Sequence, residues 1–188
     1  MATETPGGRS AEWIVHGERA IYDSRWVRLH LVDVEPPDGE RFEHHVVRMQ
    51  RVAVITVLDD GQSHVLMIRR HRFVDSSWGW EVPMGIVEEG EDPESTAYRE
   101  VEEETGWRPT NLTHVLTFQP MIGIADTPHE LFTGIGAAHT TEVVDASEAE
   151  EIAWMPCTDL LSIITKGEIR DGASLVALLH LVAARTNT

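Results

Sequence analysis

Between Gly85 and Trp107 the chain packs nine carboxylates into the stretch GIVEEGEDPESTAYREVEEETGW. Acidic side chains at that density repel one another, so any fold must either spread them into solvent or share a cation among them. The stretch also punctuates itself. Asp92-Pro93 opens a helix, because proline tolerates the first helical position and an aspartate can cap the free amides ahead of it. Gly106 closes it as a C-terminal stop. At about 100° per residue, Ala97, Val101 and Thr105 fall within about 80° of one another and make a narrow core-facing stripe. Glu100, Glu103 and Glu104 share a separate arc of about 100°, and Glu102 points nearly away from it. Carboxylates at i, i+3 and i+4 destabilise an isolated helix. A solvated acidic face is one reading; a hard cation with oxygen ligands is the other. Magnesium or manganese suits the second, since these ions accept one or two protein carboxylates and keep positions for water and phosphate. The EF-hand pattern and the Cys/His spacings of structural zinc are absent from the sequence.

The flanking chain predicts a sheet for this helix to pack on. Val52 to Leu58 is a nearly continuous β-branched run and reads as a central strand buried on both faces. Asp59-Asp60-Gly61 turns it into a second strand, His64 to Arg70, and makes a hairpin. Arg69, Arg70 and Arg72 gather where that second strand ends, either to neutralise acidic neighbours or to bind an anion. Val74 to Trp80 reads as a loop. Upstream, the short alternating segments WIVH, RAIYD, WVRLHLVDV and FEHHVV are separated by Gly17, Asp23-Ser24 and Pro36-Pro37-Asp38-Gly39, which predicts an antiparallel meander too small to fold alone. Downstream, Leu112 to Phe118, Glu130 to Ile135 and Ile152 to Met155 read as strands, and 137–151 mostly as a mobile acidic loop. Helices over roughly 158–165 and 173–184 finish the chain, the second opened by Asp171 or Ser174. Residues 1–11 are expected to be a disordered lead-in.

Charge narrows the partners. With 15 Lys and Arg against 32 Asp and Glu, the net charge is -17. Such a field repels phosphate backbones and argues against nucleic-acid or anionic-membrane partners. The longest apolar stretch, 173–184, is too short to cross a bilayer, no export signal is evident, and a single Cys157 cannot form an intrachain disulfide. A soluble cytoplasmic protein is the expectation.

The spacing of the acidic stretch then carries a resemblance. Gly85, five residues, Glu91, seven residues, Arg99-Glu100-Val101, one residue, Glu103-Glu104, one residue, Gly106 and the apolar Trp107 resembles the Nudix box over 23 residues without a departure. The resemblance implies an α+β Nudix fold, a mixed β-sheet sandwiched between helices (α/β/α), over 49–188, with residues 12–48 as an N-terminal strand region for dimerisation or packing. It implies a magnesium-dependent hydrolase (manganese serving also) of a nucleoside diphosphate linked to another group. Glu100, Glu104 and the Met84 carbonyl are then metal ligands, Glu103 a ligand or the base that activates water, Arg99 a positioner of the glutamates and Glu91 a support. Gly85 and Gly106 complete the motif. The run from Arg72-Phe73 to Trp80-Glu81-Val82-Pro83-Met84-Gly85 is similar to the segment before the box in ADP-ribose pyrophosphatases, which gives Arg72 and Glu81 to substrate. That subgroup also implies a homodimer through its N-terminal sheet, an aromatic stacked on adenine (Trp26 or Trp13) and a further catalytic glutamate among Glu148, Glu150 and Glu151. ADP-ribose, yielding AMP and ribose 5-phosphate, is the leading substrate. The subgroup's proline falls on Ile122, however, so other nucleotide sugars, triphosphates, dinucleoside polyphosphates and a non-catalytic nucleotide-binding module stay open.

Overall fold

The computed structural model describes residues 12–37, 39–140 and 150–186, in two compact units: 1–50 with 121–127, and 51–120 with 128–188. In the first, β1 (Ile14–Asp23), β2 (Arg28–Glu35) and β3 (Phe42–Arg48) form an antiparallel meander, and the short β10 (Ala125–Asp126) adds in parallel to β3. The expected break at Gly17 is a register shift within one continuous β1, with a second shift between Ala20 and Tyr22. A bulge absorbs the glycine without ending the strand. Every residue of β1 is exposed, and the meander's buried apolar residues are Val32, Val34 and Ala125.

The second unit is built on β4 (Val52–Leu58) and β5 (His64–Arg72). The seven-stranded mixed sheet runs β13 (Glu151–Pro156), β5, β4, β11 (His129–Ile135), β9 (Leu112–Phe118). β4 lies parallel to β11 along its whole length but meets β5 only at Leu58–Val65. The two strands then part. β6 (Ser77–Glu81) pairs with β5 and β7 (Met84–Ile86) with β4, so that Glu81 to Met84 crosses the gap between them. Residues 77–80, expected as loop, are therefore strand. Trp78-Gly79-Trp80 lacks a clear alternation, and it is the pairing with β5 that orders it. Similarly, β12 (Ala137–His139) pairs with β8 (Trp107–Pro109) where a loop was expected.

Helices cover both faces. Ala53, Ile55 and Val57 project toward α1 (Pro93–Thr105) and pack with Ala97, Val101, Leu66 and Phe132. Val54 and Leu58 face the other way, onto Leu160 and Ile163 of α2 (Leu160–Thr165) and Ala177, Leu178 and Leu181 of α3 (Gly172–Thr186). Full burial on both faces explains why β4 lacks polar alternation, and each such aliphatic side chain contributes about 1.5–3 kcal/mol. Asp171 caps α3 through the Ala173 and Ser174 amides, which settles the cap choice and frees the Ser174 hydroxyl to accept from the Val82 amide at 3.0 Å. Among the described residues no helix is long and apolar enough to cross a membrane.

The β4–β5 turn is organised by Asp59, whose carboxylate accepts the Ser63 and His64 amides at 2.6 and 2.9 Å. Those bonds, that from His64 foremost, hold its carboxyl down at about 2. A depressed carboxyl stabilises the fold above its unfolded value of about 3.9 and loses that contribution as pH falls toward 2. Asp59→Asn should flatten this part of the acid-unfolding profile. Thermal melts of both proteins between pH 5 and 2 would check it, and parallel profiles would refute the role.

Candidate active site

Two strands converge on the acidic face of α1. The helix starts where expected: Asp92 caps it by accepting the Glu94 and Ser95 amides, and Gly106 ends it in the left-handed region at φ 71°. Ala97, Val101 and Thr105 are buried, as their arc predicts. The crossing strand places Met84 and Gly85 against this helix, and β5 brings its arginines to the same end.

The three glutamates of the acidic arc are not equivalent. Glu103 is 51% exposed, while Glu104 is 3% exposed and belongs to the interior. The Glu100 carboxylate lies directly over Gly85: a Cβ there would sit 1.9 Å from its Oε1. Gly85 is therefore a space requirement for a carboxylate rather than a turn device. Gly85→Ala should leave stability within about 1 kcal/mol, since a flexible side-chain end can move aside. It should nonetheless cost at least about tenfold in turnover by displacing Glu100. A melt alongside an activity assay would check this, and unchanged activity would contradict it.

Arg99 organises the outer glutamates. Its guanidinium donates to both Glu91 oxygens at 3.1 and 3.0 Å, to Glu100 at 2.7 Å and to Glu103 at 3.0 Å. These partners, Glu91 first, raise the Arg99 pKa above its ordinary value, and Arg99 in turn holds Glu91 below the usual carboxylate range. Glu102, on the far side, meets Arg108 instead.

Glu104 is held from within. Arg70, 13% exposed, donates to its Oε1 at 2.5 Å, and the Met84 amide donates to its Oε2 at 3.1 Å. Burial pushes this carboxyl up to about 7, with Arg70 and the Met84 amide pulling the other way. Arg72 and Glu81 form a two-pronged pair at 2.8 and 2.5 Å, which raises the arginine. Arg69 leaves on the opposite face of β5, toward Glu150 at 3.1 Å and the Trp78 ring at 5.3 Å. All three clustered arginines thus neutralise carboxylates in this structure. Sequence reasoning did not single out Arg70. The signal was strand alternation, which puts Arg70 and Arg72 together on one face and Arg69 on the other.

Among the described residues no three carboxylate, imidazole or thiol side chains converge as a ready metal cage. The donor chemistry nonetheless suits a hard divalent ion: only oxygens are offered on this face, one of them seated where Gly85 leaves room. Glu151 opens β13 and is exposed, while Glu148 lies outside the described residues. In the first unit, Trp26 is 56% exposed with the Arg25 guanidinium 4.1 Å over its ring, and Trp13 packs edge-on against Phe42.

Compared with known proteins, residues 49–176 match the NUDIX domain model. The chain belongs to the Nudix family. It is a Nudix hydrolase related to the ADP-ribose pyrophosphatases, in a family whose members generally need divalent metal ions. A CMP-5'-(N-acetyl-N-hydroxy-3-aminopropyl)phosphonate hydrolase of Streptomyces rubellomurinus is 44% identical, covering 90% of this chain and 82% of its own. An ADP-ribose pyrophosphatase of Bacillus subtilis is 29% identical over 92% of this chain and 94% of its own. A solved structure described as an ADP compounds hydrolase superposes with a TM-score of 0.80 at 17% identity, covering 96% of this chain and 97% of the other, which establishes the shared Nudix fold.

Proposed function

We propose that this Nudix hydrolase cleaves the diphosphate-type bond of a nucleoside diphosphate linked to another group, releasing a nucleoside monophosphate. The observation that carries the reading is the α1 face, where a buried, a cradled and an exposed glutamate stand beside Met84 and Gly85. Glu100, Glu104 and the Met84 carbonyl would hold magnesium, or manganese, with Glu103 as a further ligand or as the base. Such an ion supplies charge neutralisation at phosphate oxygens and eases deprotonation of water. Glu103, half in solvent and tethered to Arg99 alone among the described residues, can swing to accept a proton from the attacking water. The water oxygen ends on one phosphorus and the bridging oxygen leaves with the other. Arg99 and Glu91 fix Glu100, and Arg70 fixes Glu104. Arg72, the more exposed member of its pair, is suited to meet substrate phosphate, with Glu81 orienting it. Glu150 and Glu151 are the described candidates for a further catalytic glutamate.

ADP-ribose, giving AMP and ribose 5-phosphate, is one substrate reading, supported by the Bacillus subtilis relative. The Streptomyces relative supports a second, in which the leaving group is an organophosphonate joined to a nucleoside monophosphate; Ile122 at the subgroup's proline position weakens the first without choosing among the others. In the first unit, exposed Trp13, Ile14, Val15, Tyr22 and Phe42 suit a homodimer, and exposed Trp26 suits stacking on a base. The test is a panel of ADP-ribose, a CMP-linked aminopropylphosphonate, other nucleotide sugars, dinucleoside polyphosphates and nucleoside triphosphates with magnesium or manganese, products separated by chromatography. A nucleoside monophosphate appearing with its phosphorylated or phosphonate fragment is the expected result. Tight binding without turnover of any compound would overturn hydrolysis and leave a binding module.

A further inference from the structure

A second concavity lies in the same unit, beyond the C-terminal end of α1, and none of the three arc glutamates lines it. It has a volume of about 370 Å³ and is lined by Asp59, Asp60, His64, Trp107, Ala137 and Trp154. His64 opens β5 and Arg70, which holds Glu104, stands six residues along it, about 20 Å of strand away, while Trp107 lies just past the C-terminal end of α1. Five chain segments contribute to the cavity: the β4–β5 turn, the start of β5, and β8, β12 and β13.

Its wall is aromatic and its rim anionic. The Trp107 and Trp154 rings stand edge to face with centroids 5.3 Å apart, and His139 buttresses Trp107 from another side at 5.1 Å. Both tryptophans are only part-buried, so ring surface remains for a ligand. Asp60 is exposed and, among the described residues, has no hydrogen-bond or ion-pair partner. It is not loosely placed: a Cβ on Gly136 would lie 2.6 Å from its Oδ1, and Gly136 sits at φ +77°, where a side chain is strained. The backbone at Gly136 thus makes room for this carboxylate. The nearby turn cation, Arg185, is engaged by the Gln62 carbonyl and does not line the cavity.

We propose that this cavity binds a compact alkylated ammonium ion, its hydrocarbon against the two tryptophans and its charge facing Asp60. An anion would meet two carboxylates. A hydrated metal ion would gain little from indole surface, and a neutral apolar molecule would leave the charge of Asp60 unused. An alkylammonium uses both, because the indole quadrupole attracts a cation whose methyl groups also pack on the ring. Asp59, whose carboxylate is occupied by turn amides, adds its field and remains ionised.

Titration with choline chloride, followed by the indole N–H signals of nitrogen-15-labelled protein, tests the proposal. Saturable shifts at Trp107 and Trp154 are expected, assigned through Trp→Phe variants, with no saturable response to the neutral isostere 3,3-dimethyl-1-butanol. Asp60→Asn, an exposed change that should not disturb folding, should weaken choline about fivefold, and Trp154→Leu should weaken it at least as much. Glu103→Gln should leave choline binding intact, and Asp60→Asn should leave nucleotide turnover intact, so this site and the hydrolytic site can fail separately. Absence of saturable shifts, equal binding of the isostere, or indifference to Asp60→Asn would overturn the proposal.

Discussion

Glu103→Gln is expected to lower kcat by about 10²–10⁴-fold, the range for loss of a positioned acid–base group, while leaving stability within about 0.5 kcal/mol. The separation of the two effects is the point of the choice. Glu103 is half exposed and touches the described protein only through Arg99 at 3.0 Å, and Arg99 keeps Glu91 and Glu100 when that contact is lost. Glutamine preserves shape and removes the negative charge and basicity, so activity should fall without unfolding. Glu102→Gln, which alters the carboxylate meeting Arg108 on the far side of the helix, is the internal control and should retain full turnover. Glu103→Gln retaining more than about a tenth of the parent rate would take the role of base from Glu103 and leave it to Glu150 or Glu151. Thermal melts and initial rates under saturating substrate would decide it.

The contrast between Glu103 and Glu104 also marks how far the sequence carries. Helical periodicity gives angles about an axis, and by angle Glu100, Glu103 and Glu104 form one arc. It gives no depth. Glu104 is buried because the chain crosses the β4–β5 gap beside it, and that crossing depends on the two strands meeting only at Leu58–Val65. No local pattern announces such a divergence. The same holds for Ser77 to Glu81: its order comes from pairing with β5, a partner chosen in three dimensions. Where the information is local, sequence and structure agree. Asp92-Pro93 and Gly106 bound α1, and the unbroken apolar run of Val52 to Leu58 marks a strand covered on both faces.

The arginines illustrate both cases. Three in four positions is legible as a cation cluster, but composition alone does not separate a neutraliser from an anion binder; alternation along β5 sends them to different faces. Arg70 and Arg72 turn to buried Glu104 and Glu81, Arg69 to exposed Glu150. A cluster that looks uniform in sequence is thus one interior ion pair, Arg70 with Glu104, one half-buried pair whose arginine reaches solvent, Arg72 with Glu81, and one surface pair, and only the interior one carries large energetic consequences.

Arg70→Met should accordingly be the most destabilising single change at the site, by up to about 3 kcal/mol above neutral pH and less below it, because the Glu104 carboxyl, left buried with only the Met84 amide as a described partner, must either hold its charge there or take up a proton. The size follows from asymmetry rather than from strength of the pair. Desolvating two ions costs nearly what their attraction returns, but one ion left alone keeps the cost and loses the return. Arg70→Met combined with Glu104→Leu should therefore recover most of the stability while abolishing turnover, giving a strongly non-additive cycle. Divalent ions provide an independent arm. A cation held by Glu104, as proposed, would replace the missing charge, so saturating magnesium should raise the melting temperature of Arg70→Met by more than it raises that of the parent. Denaturant unfolding and thermal melts of the parent, both single variants and the double variant, with and without magnesium, together with initial rates, would measure all of these quantities. Additive losses, or equal magnesium shifts in parent and variant, would show that Arg70 packs beside Glu104 without governing its charge.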